Sequence, residues 1–141
     1  MKELLPPAES TWPVLMLAAA AGGGLGTVLR VLVSQFWLKV PPGRFPHGTL
    51  VVNASGSLAL GLLLAALMAT GGRSELFIVV GVGMVGAYTT VSSLALESLL
   101  MLRAGRTRSA VAYLVASLTS GPLMALLGLF LGGWLFNGPR V

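Results

Sequence analysis

The chain has 141 residues, 55% of them hydrophobic and 9% charged, with a mean hydropathy of +0.90, whereas soluble domains carry about 25% charged residues; the composition is that of a polytopic membrane protein. Cysteine is absent, which excludes disulfides and thiolate metal sites. The pI near 10.9 comes from Lys and Arg placed mostly in short connectors, where they set membrane topology, so no nucleic-acid partner is expected.

Four apolar stretches reach the roughly 20 residues that a helical span needs. The first runs from about Trp12 to Trp37. Its two tryptophans are about 37 Å apart on a helix, close to the separation of the two bilayer interfaces. Leu15 to Ala21 followed by glycines has the look of a signal peptide. Against that, Glu3 and Glu9 outweigh Lys2 in the leading segment, and apolar character resumes after the glycines. The second span covers about residues 48–69, the third about 76–102 and the fourth about 110–136. Connectors 39–46, 70–74 and 103–108 are short, and each carries glycine and a basic residue, as a sharp return at headgroup level requires. The expectation is one integral membrane domain over residues 1–141, all-α, with four transmembrane helices, embedded in a lipid bilayer of the cell membrane.

Four spans place both termini on one side. Lys2, Arg73 and Arg140 fall there, against Lys39, Arg44, Arg103, Arg106 and Arg108 on the other. Five against three is a shallow bias, of the kind a chain inserted in both orientations would carry.

The third span holds the densest signal. Gly81, Gly83 and Gly86 interrupt it, and Tyr88, Thr89, Thr90, Ser92 and Ser93 follow. Glycines weaken a helix and free carbonyls that must find partners in hydrocarbon, so a helix broken near the middle of this span is expected.

Catalytic schemes fail for want of residues. There is no Asp, a single histidine (His47), no phosphate-cradling loop, and no Ser-His or two-carboxylate pair; no enzyme is expected. What remains is a set of uncharged hydrogen-bonding groups at helical spacing. Thr49, Asn53 and Ser57 share one face, as do Tyr113, Ser117 and Gly121, while Thr90, Ser93 and Glu97 recur at i, i+3 and i+7. Such a track is rich in donors and suits a small anion. Single Ser and Thr side chains in such helices also bond back to their own turn or glue helices together. The Asn53 amide cannot be satisfied by its own helix, and its two N–H donors are available to an anion. Arg30 and Glu97 are ionisable groups within spans, hence functional candidates; the alternatives are that Arg30 snorkels and Glu97 pairs with a basic residue. Gly22 and Gly26, Ser57 and Gly61, and Gly128 and Gly132 are small pairs that let helix backbones approach. A chain this small with this many polar faces points to a homodimer.

Three ordered motifs resemble the small bacterial fluoride channels, the Fluc or CrcB family. They are Gly22-Gly23-Gly24-Leu25-Gly26-Thr27-Val28-Leu29-Arg30, then Gly48-Thr49-Leu50-Val51-Val52-Asn53-Ala54-Ser55-Gly56-Ser57, then Gly86-Ala87-Tyr88-Thr89-Thr90-Val91-Ser92-Ser93-Leu94. The resemblance implies an antiparallel, dual-topology homodimer that passes fluoride. It also implies a structural sodium ion at the dimer centre, held by the main-chain oxygens of Gly86 and Thr89. The implied fluoride pathway comprises Asn53, Thr49, Thr90, Ser93, Ser117 and Tyr113, with Arg30 and Glu97 as charges near it. Val91 and Leu94 stand where the family pattern has pore-lining phenylalanines, so Asn53, Thr90 and Ser93 carry more of the anion's desolvation. Two other readings compete: a four-span dimeric exporter of organic cations or other small molecules, although the first span lacks the carboxylate such proteins use, and a non-transporting membrane subunit whose glycines serve packing alone.

Overall fold

A computed structural model describes residues 11–37, 45–71 and 74–137. Among the described residues all regular structure is helical, and four helices are long and apolar enough to cross a membrane. Helix α1 is Trp12–Trp37 and α2 is His47–Thr70. Helix α3 covers residues 74–88, with an α-turn at Ser74–Leu76, a π-helix at Phe77–Val85 and a second α-turn at Gly86–Tyr88. Helix α4 is Val91–Arg103, and α5 is Thr107–Asn137. Together α3 and α4 make up the third span.

The ends follow local chemistry. Gly71 closes α2 with φ 75°, a left-handed conformation that costs glycine little. Helix α4 ends in a Schellman turn: Gly105, at φ 72°, donates to the Leu102 carbonyl at 3.0 Å, and Arg106 donates to the Met101 carbonyl at 2.9 Å. That turn reverses the chain into α5 within a few residues.

Two helix pairs form the body. Helices α2 and α5 run parallel and touch along most of their length. Thr49 faces the level of Tyr113, Ser57 that of Gly121, and Gly61 that of Ala125. A Cβ on Gly61 would strike the Ala125 carbonyl, one on Gly128 the Leu58 carbonyl, and one on Gly132 would lie 2.5 Å from the Ala65 Cβ. Helices α1 and α3 form a second parallel pair. A Cβ on Gly22 would lie 2.8 Å from the Val79 carbonyl oxygen, one on Gly83 would lie 2.6 Å from that of Ala19, and one on Gly26 would strike Met84. The small pairs expected at helix contacts are therefore used inside the chain.

The π-helix is the local surprise. Gly86 donates to the Gly81 carbonyl, five residues back, and nine residues is long for a form usually seen as a single-turn bulge. Its glycines do not open the chain, contrary to the expectation that they cause the break. Gly81 and Gly83 remain helical, Gly83 packs on α1, and the break falls after them at Thr89–Thr90.

Candidate functional site

Thr89 (φ −75°, ψ 159°) and Thr90 (φ −152°, ψ 124°) are both extended and separate α3 from α4 at the middle of the third span. Neither conformation is strained, so the break needs a cause elsewhere. Asn53 on α2 supplies it. Its Oδ1 accepts from the Thr90 N–H at 2.8 Å, and its Nδ2 donates to the Thr90 carbonyl at 2.9 Å. In a continuous helix the Thr90 N–H would close on Gly86. Likewise the Ser93 N–H, which would close on Thr89, is taken by the Thr90 hydroxyl at 3.2 Å in an N-cap.

Two side chains thus divert the donors that Gly86 and Thr89 would otherwise receive. The Gly86 carbonyl keeps a long contact from the Thr89 hydroxyl, 3.4 Å, and Gly86 lies on the exposed surface of the chain. Uncharged main-chain oxygens left over in this way are ligands suited to a hard cation. Their donor set fits the ion that the family pattern implies.

Toward one interface the polar groups close on Glu97. Thr49 donates to Oε1 at 2.7 Å and Tyr113 donates to Oε2 at 2.6 Å. The carboxylate is therefore held by two hydroxyls from α2 and α5. Tyr113 is fully buried and Thr49 nearly so. Tyr113 packs with Met101 and Ala110, with Leu94, Leu50 and Phe45 around them, and the Phe45 ring meets it edge-on at 5.4 Å. Phe45 lies in a connector and carried no signal in the sequence. Leu94, at a position where the family pattern has an aromatic, is thus a packing residue, while Val91, at the other, is exposed.

The donor inventory separates committed from available groups. Thr49 and Tyr113 spend their protons on Glu97, and Asn53 spends one of its two N–H groups on Thr90. The expectation that the Asn53 amide offers two donors to an anion is corrected to one. Thr90 donates to the Ser93 Oγ at 3.2 Å, and the Ser93 proton has no acceptor among the described residues. The Ser117 Oγ is buried on α5 without a hydrogen-bond partner among the described residues. The second Asn53 N–H and the hydroxyls of Ser93 and Ser117 are the uncommitted donors of the predicted track.

Arg30 is half-buried on α1, about 10 Å before its end; no hydrogen bond or ion pair joins it to this cluster among the described residues. Several other hydroxyls bond back to their own turn, including Thr27 to Gly23, Ser98 to Leu94 and Thr119 to Val115. The Ser55 and Tyr88 oxygens lie 2.9 Å apart, a contact between residues 33 apart that has no sequence signature.

Comparison with known proteins places these features in a lineage. The family model described as "CrcB-like protein, Camphor Resistance (CrcB)" matches residues 17–129. A fluoride-specific ion channel FluC from Rhizobium meliloti is 40% identical over 117 residues, 82% of this chain and 94% of the relative. A FluC 2 from Nocardia farcinica is 37% identical over 129 residues, 91% of this chain and 86% of the relative. A FluC 2 from Moorella thermoacetica is 40% identical over 122 residues, 85% and 98% of the two chains. The matched region holds every residue of the Asn53–Thr90 clasp and of the Glu97 cluster, and on that extent of agreement the chain belongs to the CrcB family.

Proposed function

We propose that this chain is a fluoride-selective channel that lets fluoride leave the cell passively and so relieves its toxicity. It is a multi-pass membrane protein and not an enzyme. The observation that carries the reading is the set of uncommitted donors, one Asn53 N–H with the Ser93 and Ser117 hydroxyls, on the helix faces around the break at Thr89–Thr90. Donors without acceptors at membrane depth replace the hydration of a small anion without trapping it by full charge pairing. Asn53 serves the pathway and the break together, since one half of its amide fixes Thr90 and the other half is left for the ion. Thr49 and Tyr113 act through Glu97: their hydroxyls hold the carboxylate in place, and so hold its charge at a fixed distance from the route.

The working unit is an antiparallel homodimer in which residues 1–141 of each copy act as one membrane domain. Gly86 and Ser55 are exposed on the surface of the chain, which leaves the polar groups beside them uncovered by it. A structural sodium ion bound by Gly86 and Thr89 carbonyls would join the two copies and fix the break. Fluoride efflux from liposomes holding the purified protein, read with a fluoride electrode, tests the function. Efflux well above that of empty liposomes is expected. Movement of organic cations in its place, or no movement of either, would overturn the proposal in favour of an exporter or a non-transporting subunit.

A further inference from the structure

Ser55 and Tyr88 form a hydroxyl pair that the pathway above does not use. Tyr88 is the last helical residue before the break, and its ring lies over Gly56, where a Cβ would come within 3.1 Å of the ring carbon Cδ1. That close approach carries the phenol oxygen to 2.9 Å from the Ser55 Oγ. Ser55 is exposed on the surface of the chain. Both residues lie within about 5 Å of the middle of their spans, at 1.5 Å of rise per residue. Lipid tails offer no acceptor for a hydroxyl at that depth, so a Tyr88 proton turned away from Ser55 needs a polar group beyond the chain.

The pair has two proton arrangements. Ser55 also lies 3.2 Å from the Val52 carbonyl. When Ser55 donates to Val52, Tyr88 donates to Ser55 and neither proton is free. When Ser55 turns its proton to the Tyr88 oxygen, the phenol proton is released to point outward. A phenol is the more acidic hydroxyl and the better donor to an anion, and accepting from Ser55 strengthens it further. Val91 and Leu94, which follow the break, have no donor to offer.

We infer that the Tyr88 hydroxyl, switched by Ser55, is an additional contact for a small hydrogen-bond-accepting anion at the mid-membrane break. The inference rests on the proposed fluoride conduction and adds a residue to its route. Ser55 is a positioning residue, since it acts through Tyr88.

The test is fluoride efflux from liposomes for the parental protein, Tyr88→Phe, Ser55→Ala and the double variant, each checked for parental elution in detergent. Tyr88→Phe keeps the ring over Gly56 and is expected to slow efflux at least tenfold. Ser55→Ala is expected to slow it a few-fold, and the double variant is expected to match Tyr88→Phe alone. A parental rate in Tyr88→Phe overturns this inference and leaves fluoride conduction standing, as does a double variant whose two losses multiply. If Tyr88→Phe does not fold, a parental rate in Ser55→Ala is by itself the refuting result. No efflux from the parental protein would end both the conduction and this inference.

Discussion

Replacing Asn53 with Ala removes both hydrogen bonds that hold Thr90 out of the helix, at 2.8 and 2.9 Å. The two losses differ in weight. As a capping residue, Thr90 keeps the first intrahelical donor of α4 on its carbonyl, so the stranded group is its N–H. A buried donor left unpaired costs about 1–3 kcal/mol, which is about a 5- to 150-fold shift toward conformations in which Thr90 finds another acceptor. The nearest such acceptor in sequence is the Gly86 carbonyl, reached by closing the break into a continuous helix. Asn53→Ala should therefore lower the thermal unfolding midpoint in detergent and reduce fluoride efflux at least tenfold. Asn53→Asp keeps an oxygen for the Thr90 N–H but sets its second oxygen against the Thr90 carbonyl, where the amide donated, and puts a negative group beside the route. Its stability should stay below parental and its efflux should stay low. Lost efflux in Asn53→Ala at parental stability would refute the clasp, and parental efflux would refute the whole assignment.

Three further outcomes are expected. Gly26→Ala drives a methyl into the Met84 backbone and should cost about 1–3 kcal/mol of stability, whereas Gly24→Ala meets open space and should gain about 0.5–1 kcal/mol; unfolding midpoints of the two variants check this. Glu97→Ala strands the buried hydroxyls of Thr49 and Tyr113, each bond to a charged group being worth about 1.5–3 kcal/mol, while Glu97→Gln keeps one acceptor and should lose less, by the same measurement. Exchanging sodium for N-methylglucamine should weaken dimer association in detergent; Thr89→Ser should keep that sodium response and Gly86→Val should lose it while still folding, since a Cβ at Gly86 meets only the Gly81 carbonyl at an ordinary 3.7 Å.

The helices were legible because their signal is local. Apolar runs bounded by glycine and arginine turns mark α1, α2 and α5 almost residue by residue. The break in the third span was legible in its existence and misplaced in its cause. Gly81, Gly83 and Gly86 suggested it, yet it is made by Asn53, 37 residues from Thr90. No pattern within the third span encodes that distance. The π-helix was hidden for a similar reason, since its backbone contacts run to Gly22 and Gly26 on another helix. Glu97 was visible as a charge in a span, but its holders, Thr49 and Tyr113, become its neighbours only once α2 and α5 lie side by side. Spacing also cannot say which donors are already spent, which is why Asn53 offers one N–H and not two.

The parallel seating of α2 on α5 makes α2 a ruler whose length cannot be edited. Asn53 and Thr49 set one end of its working face, and Gly61, pressed on the Ala125 carbonyl, sets the other. A residue inserted between Asn53 and Gly61 would turn one part about 100° against the other, so the polar end and the glycine end would no longer face the same side. Substitutions within that interval can be absorbed by repacking; insertions and deletions cannot. Length variation among related chains should therefore gather in the connectors, such as the one at Gly105, and spare residues 53–61.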